Sequence, residues 1–166
     1  MADVSNSNIF KTTEDIRQLK DVLVVLVKTE WNAAIVDELE AGCQKIFQQH
    51  QVRTSTIVVP GAVELPFAIK QCWSGNQEPA AFIALGCVIR GGTPHFEYVC
   101  QSVTTGITQL NLALPVPVIF GVLTVDNMEQ AQERIGGQHG HKGEEAAITA
   151  LKMILTNQQL KEGKLK

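Results

Sequence analysis

Six consecutive residues, Arg90-Gly91-Gly92-Thr93-Pro94-His95, combine groups able to hold an anion with one able to move a proton. Two glycines leave their backbone N–H groups unobstructed. Where such a turn opens a helix, those amides and the positive helix end can close around a phosphate. His95, in the first turn, carries an imidazole whose ordinary pKa of about 6.5 lets it give or take a proton at neutral pH. Arg90 and His95 flank the cradle between them. The chemistry that suits this set is a reaction on a phosphorylated small molecule. An ordinary βα turn, with glycines for tight geometry and a solvated histidine, is written in the same letters, because Gly-Gly-Thr is not a specific fingerprint.

The elements around this stretch must place it. Ala81–Ile89, just before it, is apolar without clean alternation, as expected of a strand buried on both faces of a parallel sheet. Thr93 and Pro94 predict a helix from about Pro94, with the threonine hydroxyl accepting from a free amide and proline in the first helical position. Val22–Val27 reads as the first strand, and Lys28-Thr29-Glu30-Trp31-Asn32 as the loop at its carboxyl end, the edge where parallel sheets bind ligands. Asn32 is placed to cap a helix over Ala33–His50 whose stripe is Ile35, Leu39, Ile46 and Phe47. A short strand, Thr56–Val59, leads to the turn Pro60–Pro66 and a helix from about Leu65 to Trp73. Glu64 there either complements the helix dipole or faces a ligand.

The helix Pro94–Asn111 carries Val99, Val103, Ile107 and Leu110 on one side, and a strand, Val116–Val122, follows. Asp126 then reads as an N-cap with Glu129 as its box partner, and Arg134 as a dipole-complementing cation in the last turn of that helix. Gly140-His141-Lys142-Gly143 leads into a final helix, Glu144 to about Leu160, burying Ala147, Ile148, Leu151, Ile154 and Leu155. His139 and His141 alternate, but two histidines without a third ligand are a poor metal site, and a solvated loop is expected. Residues 1–20 read as an arm outside the core, disordered or lying on a neighbouring subunit, with Ile9, Phe10, Ile16 and Leu19 as its only residues to bury. Residues 21–166 form one domain. Strand and helix alternate throughout it, so the fold class is α/β, a parallel sheet flanked by helices.

Composition narrows the classes. A chain of 166 residues with 45% hydrophobic and 19% charged residues fits one soluble globular domain. A net charge of −3 argues against nucleic acid as the main partner. Cys43, Cys72, Cys87 and Cys100 show no CxxC pairing and no signal-peptide pattern precedes them, so reduced thiols in the cytoplasm are expected. The longest apolar runs are too short to cross a membrane.

Three strand ends now carry distinctive residues: Trp31-Asn32, then Pro60-Gly61-Ala62-Val63-Glu64-Leu65-Pro66, then Gly86-Cys87-Val88-Ile89-Arg90-Gly91-Gly92-Thr93-Pro94-His95-Phe96-Glu97-Tyr98-Val99. Together they closely resemble the 6,7-dimethyl-8-ribityllumazine synthases of riboflavin biosynthesis. Pro117–Thr124, Glu129-Gln130-Ala131 with Glu133-Arg134, and Gly140–Gly143 extend the likeness over about Val22–Met153. The resemblance implies a flavodoxin-like three-layer sandwich around a four-stranded parallel sheet, with active sites between neighbouring subunits of a pentamer. It implies condensation of 5-amino-6-(D-ribitylamino)uracil with 3,4-dihydroxy-2-butanone 4-phosphate, losing phosphate and water, with no metal and no organic cofactor. It further implies a homo-oligomer, as a pentamer or a sixty-subunit shell, and an association with riboflavin synthase.

Carried onto matching positions, the resemblance gives Trp31 the place of the aromatic that stacks on the pyrimidine, a task an indole face suits. Ala62, Val63 and Glu64 match the segment that meets the uracil and its ribityl hydroxyls. Cys87, Val88 and Ile89 match the strand end at the ring edge, and Phe120 the aromatic contributed across the interface. Gly92 and Thr93 match the phosphate-binding pair, Arg134 the arginine on the same phosphate, Lys142 a lysine near it, and His95 the proton-transfer histidine. Four positions depart from the common pattern: Cys87 stands where threonine is frequent, Val63 where an aromatic is, Gly92 where alanine is, and Pro94 where threonine is. These changes bear on affinity more than on reaction type. A binding protein that holds riboflavin or a lumazine without turnover, and a container protein, are the readings of other classes. Arg90, Thr93, His95 and Arg134 speak against the first, because a flavin binder has no use for a phosphate grip.

Overall fold

The computed structural model describes residues 8, 16, 19, 21–75 and 77–164. Strand β1 (Leu23–Thr29) is followed by α1 (Ala33–Gln49), β2 (Arg53–Val59), a single 3-10 turn (Ala62–Glu64) and α2 (Leu65–Ser74). Then come β3 (Ala81–Ile89), α3 (His95–Ala113), β4 (Val118–Val125), the short α4 (Met128–Gln132), a small hairpin of β5 (Ile135–Gly137) and β6 (Gly140–His141), and α5 (Lys142–Lys161). The sheet is parallel with the order β2-β1-β3-β4. Helices cover both faces, so the expected α/β sandwich with four parallel strands is what the chain forms.

The strand period of two divides the core. Val24 and Leu26 of β1, with Ile83 and Leu85 of β3, pack against α1 and α5 through Leu39, Phe47, Leu151 and Ile154. Val25 and Val27, with Phe82 and Ala84, pack on the other face against α2 and α3 through Leu65, Ile69, Val103 and Ile107. Central strands buried on both faces carry apolar residues on both, which explains the absence of alternation in Leu23–Val27 of β1 and in β3. Edge strand β2 exposes much of its length.

Several expectations are corrected. Ile16 and Leu19 are buried in the α1/α5 core cluster rather than lying outside it, while Ile9 and Phe10 fall outside the described residues. The strands at residues 53 and 118 are offset from their predicted bounds, and β5 and β6 pair as an antiparallel hairpin where a plain loop was expected. His141 belongs to that hairpin, half-buried against α1, not to a solvated loop. Leu155 and Val99 are only partly buried.

The helix starts also differ. Asn32 has φ 57 and ψ 41 and makes no side-chain cap; an N-cap side chain reaches the free amides from an extended backbone, not from a left-handed one. Thr93 does not cap α3 either, since Pro94 takes the N-cap position itself. At α4 the cap is Asn127, whose Oδ1 accepts from Gln130 N–H at 2.9 Å, one residue later than expected. Arg134 lies beyond that helix, which ends at Gln132.

Candidate active site

The strand order 2-1-3-4 reverses direction between β1 and β3, and chain crossings at such a point leave a crevice at the carboxyl ends of the strands. A cleft of about 540 Å³ opens there, lined from the end of β1, from the turn after β2 and from β3 with the first turns of α3. Hydrogen bonds fasten its walls. Glu30 N–H donates to Val59 O at 2.9 Å and Trp31 N–H to Pro60 O at 3.3 Å, binding the β1–α1 loop to the end of β2. Asn32, freed from capping, donates from Nδ2 to Cys87 O at 2.8 Å and so ties the start of α1 to the end of β3. Buried Thr29 donates from Oγ1 to Trp31 O at 3.2 Å.

Eight of the expected residues line this one cleft: Trp31, Ala62, Val63, Glu64, Cys87, Val88, Ile89 and His95. Trp31 is 73% exposed at its lip, so its indole face is available to a planar ligand. A Cβ on Gly61 would stand 3.0 Å from Glu64 Oε2 and 3.5 Å from Trp31 Cδ1, so that carboxylate and that indole both pack close to this glycine. Cys87 is buried, and burial pushes its thiol up to about 11, so it meets the cleft as a neutral group. His95 is exposed in the first turn of α3, open to the cleft.

Gly91 and Gly92 have neither a left-handed backbone nor a neighbour within 4 Å of a built Cβ. Packing inside the chain therefore gives no reason for glycine at either position. No side chain caps α3, and of its first-turn amides Glu97 N–H donates to Pro94 O at 3.2 Å. Arg90, expected to flank the cradle, is bonded to Glu97 and to Asp126 at 2.9 Å, with its guanidinium 4.2 Å from the centroid of Phe96. Those two carboxylates raise the pKa of Arg90, and Arg90 holds the carboxyls of Glu97 and Asp126 below their ordinary values.

Gly92, Thr93, Arg134 and Phe120 do not line the cleft. Arg134 is half-buried, its Nη1 donating to Gln130 O at 2.7 Å. Phe120 is the third residue of edge strand β4, paired with Ala84, and lies outside its own chain's cleft. Lys142 is 2% exposed and donates from Nζ to Glu145 Oε1 at 2.7 Å, so its ammonium is turned into the fold. Sequence reasoning missed Thr29, Gly61 and Val99 as lining residues, and it gave Asn32 the wrong task. For Asn32 a signal was present, its place beside Trp31 at a strand end. Among the described residues no group of three or more His, Cys, Asp or Glu comes together to hold a metal ion, and no described helix is long and apolar enough to cross a membrane.

A parallel sandwich with an apolar cleft at its strand switch point, an exposed indole on one wall and a histidine on another, has the form of an enzyme acting on a planar small molecule. The profile of the 6,7-dimethyl-8-ribityllumazine synthases matches residues 21–158. Proteins of that name are similar to this chain in Parabacteroides distasonis, at 45% identity over 148 residues (87% of this chain, 90% of the relative), and in Porphyromonas gingivalis, at 50% over 137 residues (81% and 84%). A third, in Bacteroides fragilis, is 47% identical over 132 residues (78% and 92%). The chain belongs to the 6,7-dimethyl-8-ribityllumazine synthase family, transferases of riboflavin biosynthesis.

Proposed function

We propose that this chain condenses 5-amino-6-(D-ribitylamino)uracil with 3,4-dihydroxy-2-butanone 4-phosphate to 6,7-dimethyl-8-ribityllumazine, releasing phosphate and water. The observation that carries the reading is the convergence of Trp31, Ala62–Glu64, Cys87–Ile89 and His95 on one cleft from three strand ends. The pyrimidine stacks on Trp31, its ring edge meets the main chain of Cys87–Ile89, and its ribityl hydroxyls reach Glu64. Loss of a threonine hydroxyl at Cys87 leaves these main-chain groups in place. The phosphate of the ketose lies on the open Gly92–Thr93 turn, and Arg134, a planar fork with five donors, grips its oxygens.

The 5-amino group attacks the ketone and water leaves to give an imine. Removal of a proton then lets phosphate depart, and the enol formed becomes a carbonyl. The ribitylamino nitrogen closes on that carbonyl with loss of a second water. His95 takes and returns the protons, while holding two substrates in register supplies much of the acceleration. Loss of His95 therefore slows the reaction without abolishing it. No cofactor enters the scheme.

The active unit is an oligomer. Support comes from Phe120, which does not line its own chain's cleft, and from the exposed apolar side chains Val63, Phe67 and Tyr98. The assembly is a pentamer, and the short β5–β6 link favours growth into a sixty-subunit shell able to associate with riboflavin synthase in the cytoplasm. Light scattering that finds only pentamers refutes the shell.

The test mixes purified protein with both substrates and follows the fluorescence of the lumazine, with His95→Ala and Arg134→Ala alongside. Product from the wild type, a slowed His95→Ala, and a rise in KM for the ketose alone in Arg134→Ala are expected. No product, with tight binding of riboflavin, refutes the synthase in favour of a storage protein.

A further inference from the structure

The two arms that meet the phosphate in the reading above stand on separate loops. The Gly91–Gly92 turn has no packing neighbours at its glycines, and Arg134 follows a helix of only five residues. A continuous series of polar contacts joins them. Arg90 N–H donates to Val125 O at 2.9 Å, and its Nε to Asp126 Oδ1 at 2.9 Å, while the same guanidinium reaches Glu97 in the first turn of α3. Asp126 N–H donates to Gln130 Oε1 at 2.9 Å, and Gln130 Nε2 lies 3.5 Å from Asp126 Oδ2. Gln130 O in turn accepts from Arg134 Nη1 at 2.7 Å.

We infer that Arg90, Asp126 and Gln130 are positioning residues that fix the spacing between the Gly92–Thr93 turn and the Arg134 guanidinium; this rests on the phosphate reading proposed above. Stability alone does not explain the series. Its carboxylates are more than half exposed, and exposed ion pairs add little to folding. Geometry does explain it, because two anion-binding groups on separate loops act together only if their separation is set before the ligand arrives. Arg134 gives one guanidinium N–H to the series and keeps others for the ligand.

The experiment is calorimetric titration of the assembled protein with inorganic phosphate, paired with KM for each substrate. Asp126→Ala is expected to weaken phosphate about fivefold to tenfold and to raise KM for the ketose by the same factor, while KM for the pyrimidine moves less than about twofold. Asp126→Asn, which keeps an acceptor for Arg90, restores most of the affinity. Gln130→Met, which cuts the series but keeps the carbonyl that holds Arg134, reproduces Asp126→Ala. In an Arg134→Ala background Asp126→Ala adds no further loss.

Unchanged or tighter phosphate binding in Asp126→Ala, or a loss that persists in full on the Arg134→Ala background, overturns the inference and leaves the phosphate site standing. Phosphate binding that is indifferent to Arg134→Ala itself overturns the phosphate reading, and the inference with it.

Discussion

Gly42 lies in the middle of α1 directly under the ring of His141, and its replacement by alanine reports on how the β5–β6 hairpin is seated. At a mid-helix position alanine ordinarily gains about 1 kcal/mol over glycine. Here a Cβ would stand 2.2 Å from His141 Cε1 and 2.5 Å from Nδ1. Carbon atoms in contact sit about 3.5–4.0 Å apart, so the ring must withdraw by roughly 1.3–1.8 Å. His141 has little freedom to do so, since it pairs with Ile135 and its neighbour Lys142 opens α5. Overpacking of this kind costs about 1–3 kcal/mol, leaving a net loss of up to about 2 kcal/mol after the helix gain. In a chain of this length that is a fall of up to about 8 °C in Tm.

The sharper readout is a reversal of sign. With His141→Ala the ring is gone, so Gly42→Ala keeps its helical gain and stabilises by about 1 kcal/mol. His141 Nδ1 is buried without a hydrogen-bond partner among the described residues, so that background loses no hydrogen bond of the ring nitrogen. Gly143→Ala is the control: its Cβ would lie 2.1 Å from Leu39 O, a backbone atom that no side-chain deletion can move, and it destabilises by about 3 kcal/mol or more in both backgrounds. Thermal unfolding at one fixed protein concentration measures all of them, since assembly shifts Tm. Gly42→Ala with the same sign in both backgrounds refutes the steric argument.

Three other outcomes are expected. Asn32→Gly keeps access to the left-handed backbone and loses only the bond to Cys87 O, about 1 kcal/mol, whereas Asn32→Ala adds a conformational cost of about 1 kcal/mol; both raise KM for the pyrimidine, alanine the more, and equal effects refute the division. Lys28 is held at 2.8 Å by Asp37 and 2.6 Å by Glu40, and those bonds raise its pKa above the ordinary 10.5. Stability from this cluster is complete below 10.5 and is lost as pH rises through the raised value, so Lys28→Met flattens the alkaline end of the stability profile measured by denaturant titration. Mass mapping of brief alkylation at pH 8 finds the half-buried Cys72 and Cys100 before Cys87, whose thiol stands near 11, and Cys43, which is buried and bonded to Gly143 O; early labelling of Cys87 contradicts its burial.

Local patterns settled much of this protein. Unbroken apolar runs at Val22–Val27 and Ala81–Ile89 suited strands covered on both faces, and their alternation with helical stripes pointed to a parallel α/β sheet as the arrangement able to bury them. Trp31, Glu64 and His95 were legible as cleft-lining residues because each stood at the carboxyl end of a strand, the edge on which such sheets bind ligands.

What the letters left open depended on partners far along the chain. Asn32 looked like a cap because a cap is the local use of asparagine before a helix; the left-handed backbone and the carbonyl of Cys87, fifty-five residues away, gave its side chain another partner. Arg90 could be placed beside the glycine turn, but not its partner Asp126, which is thirty-six residues off. Ile16 and Leu19 looked like part of an arm outside the core, yet both are buried in the core cluster to which α1 and α5 contribute. Side-chain type and helix or strand period act over a few residues and can be read from the sequence. The choice among competing partners for a polar group, or among apolar surfaces for a terminal segment, is made only when packing has fixed which groups are near.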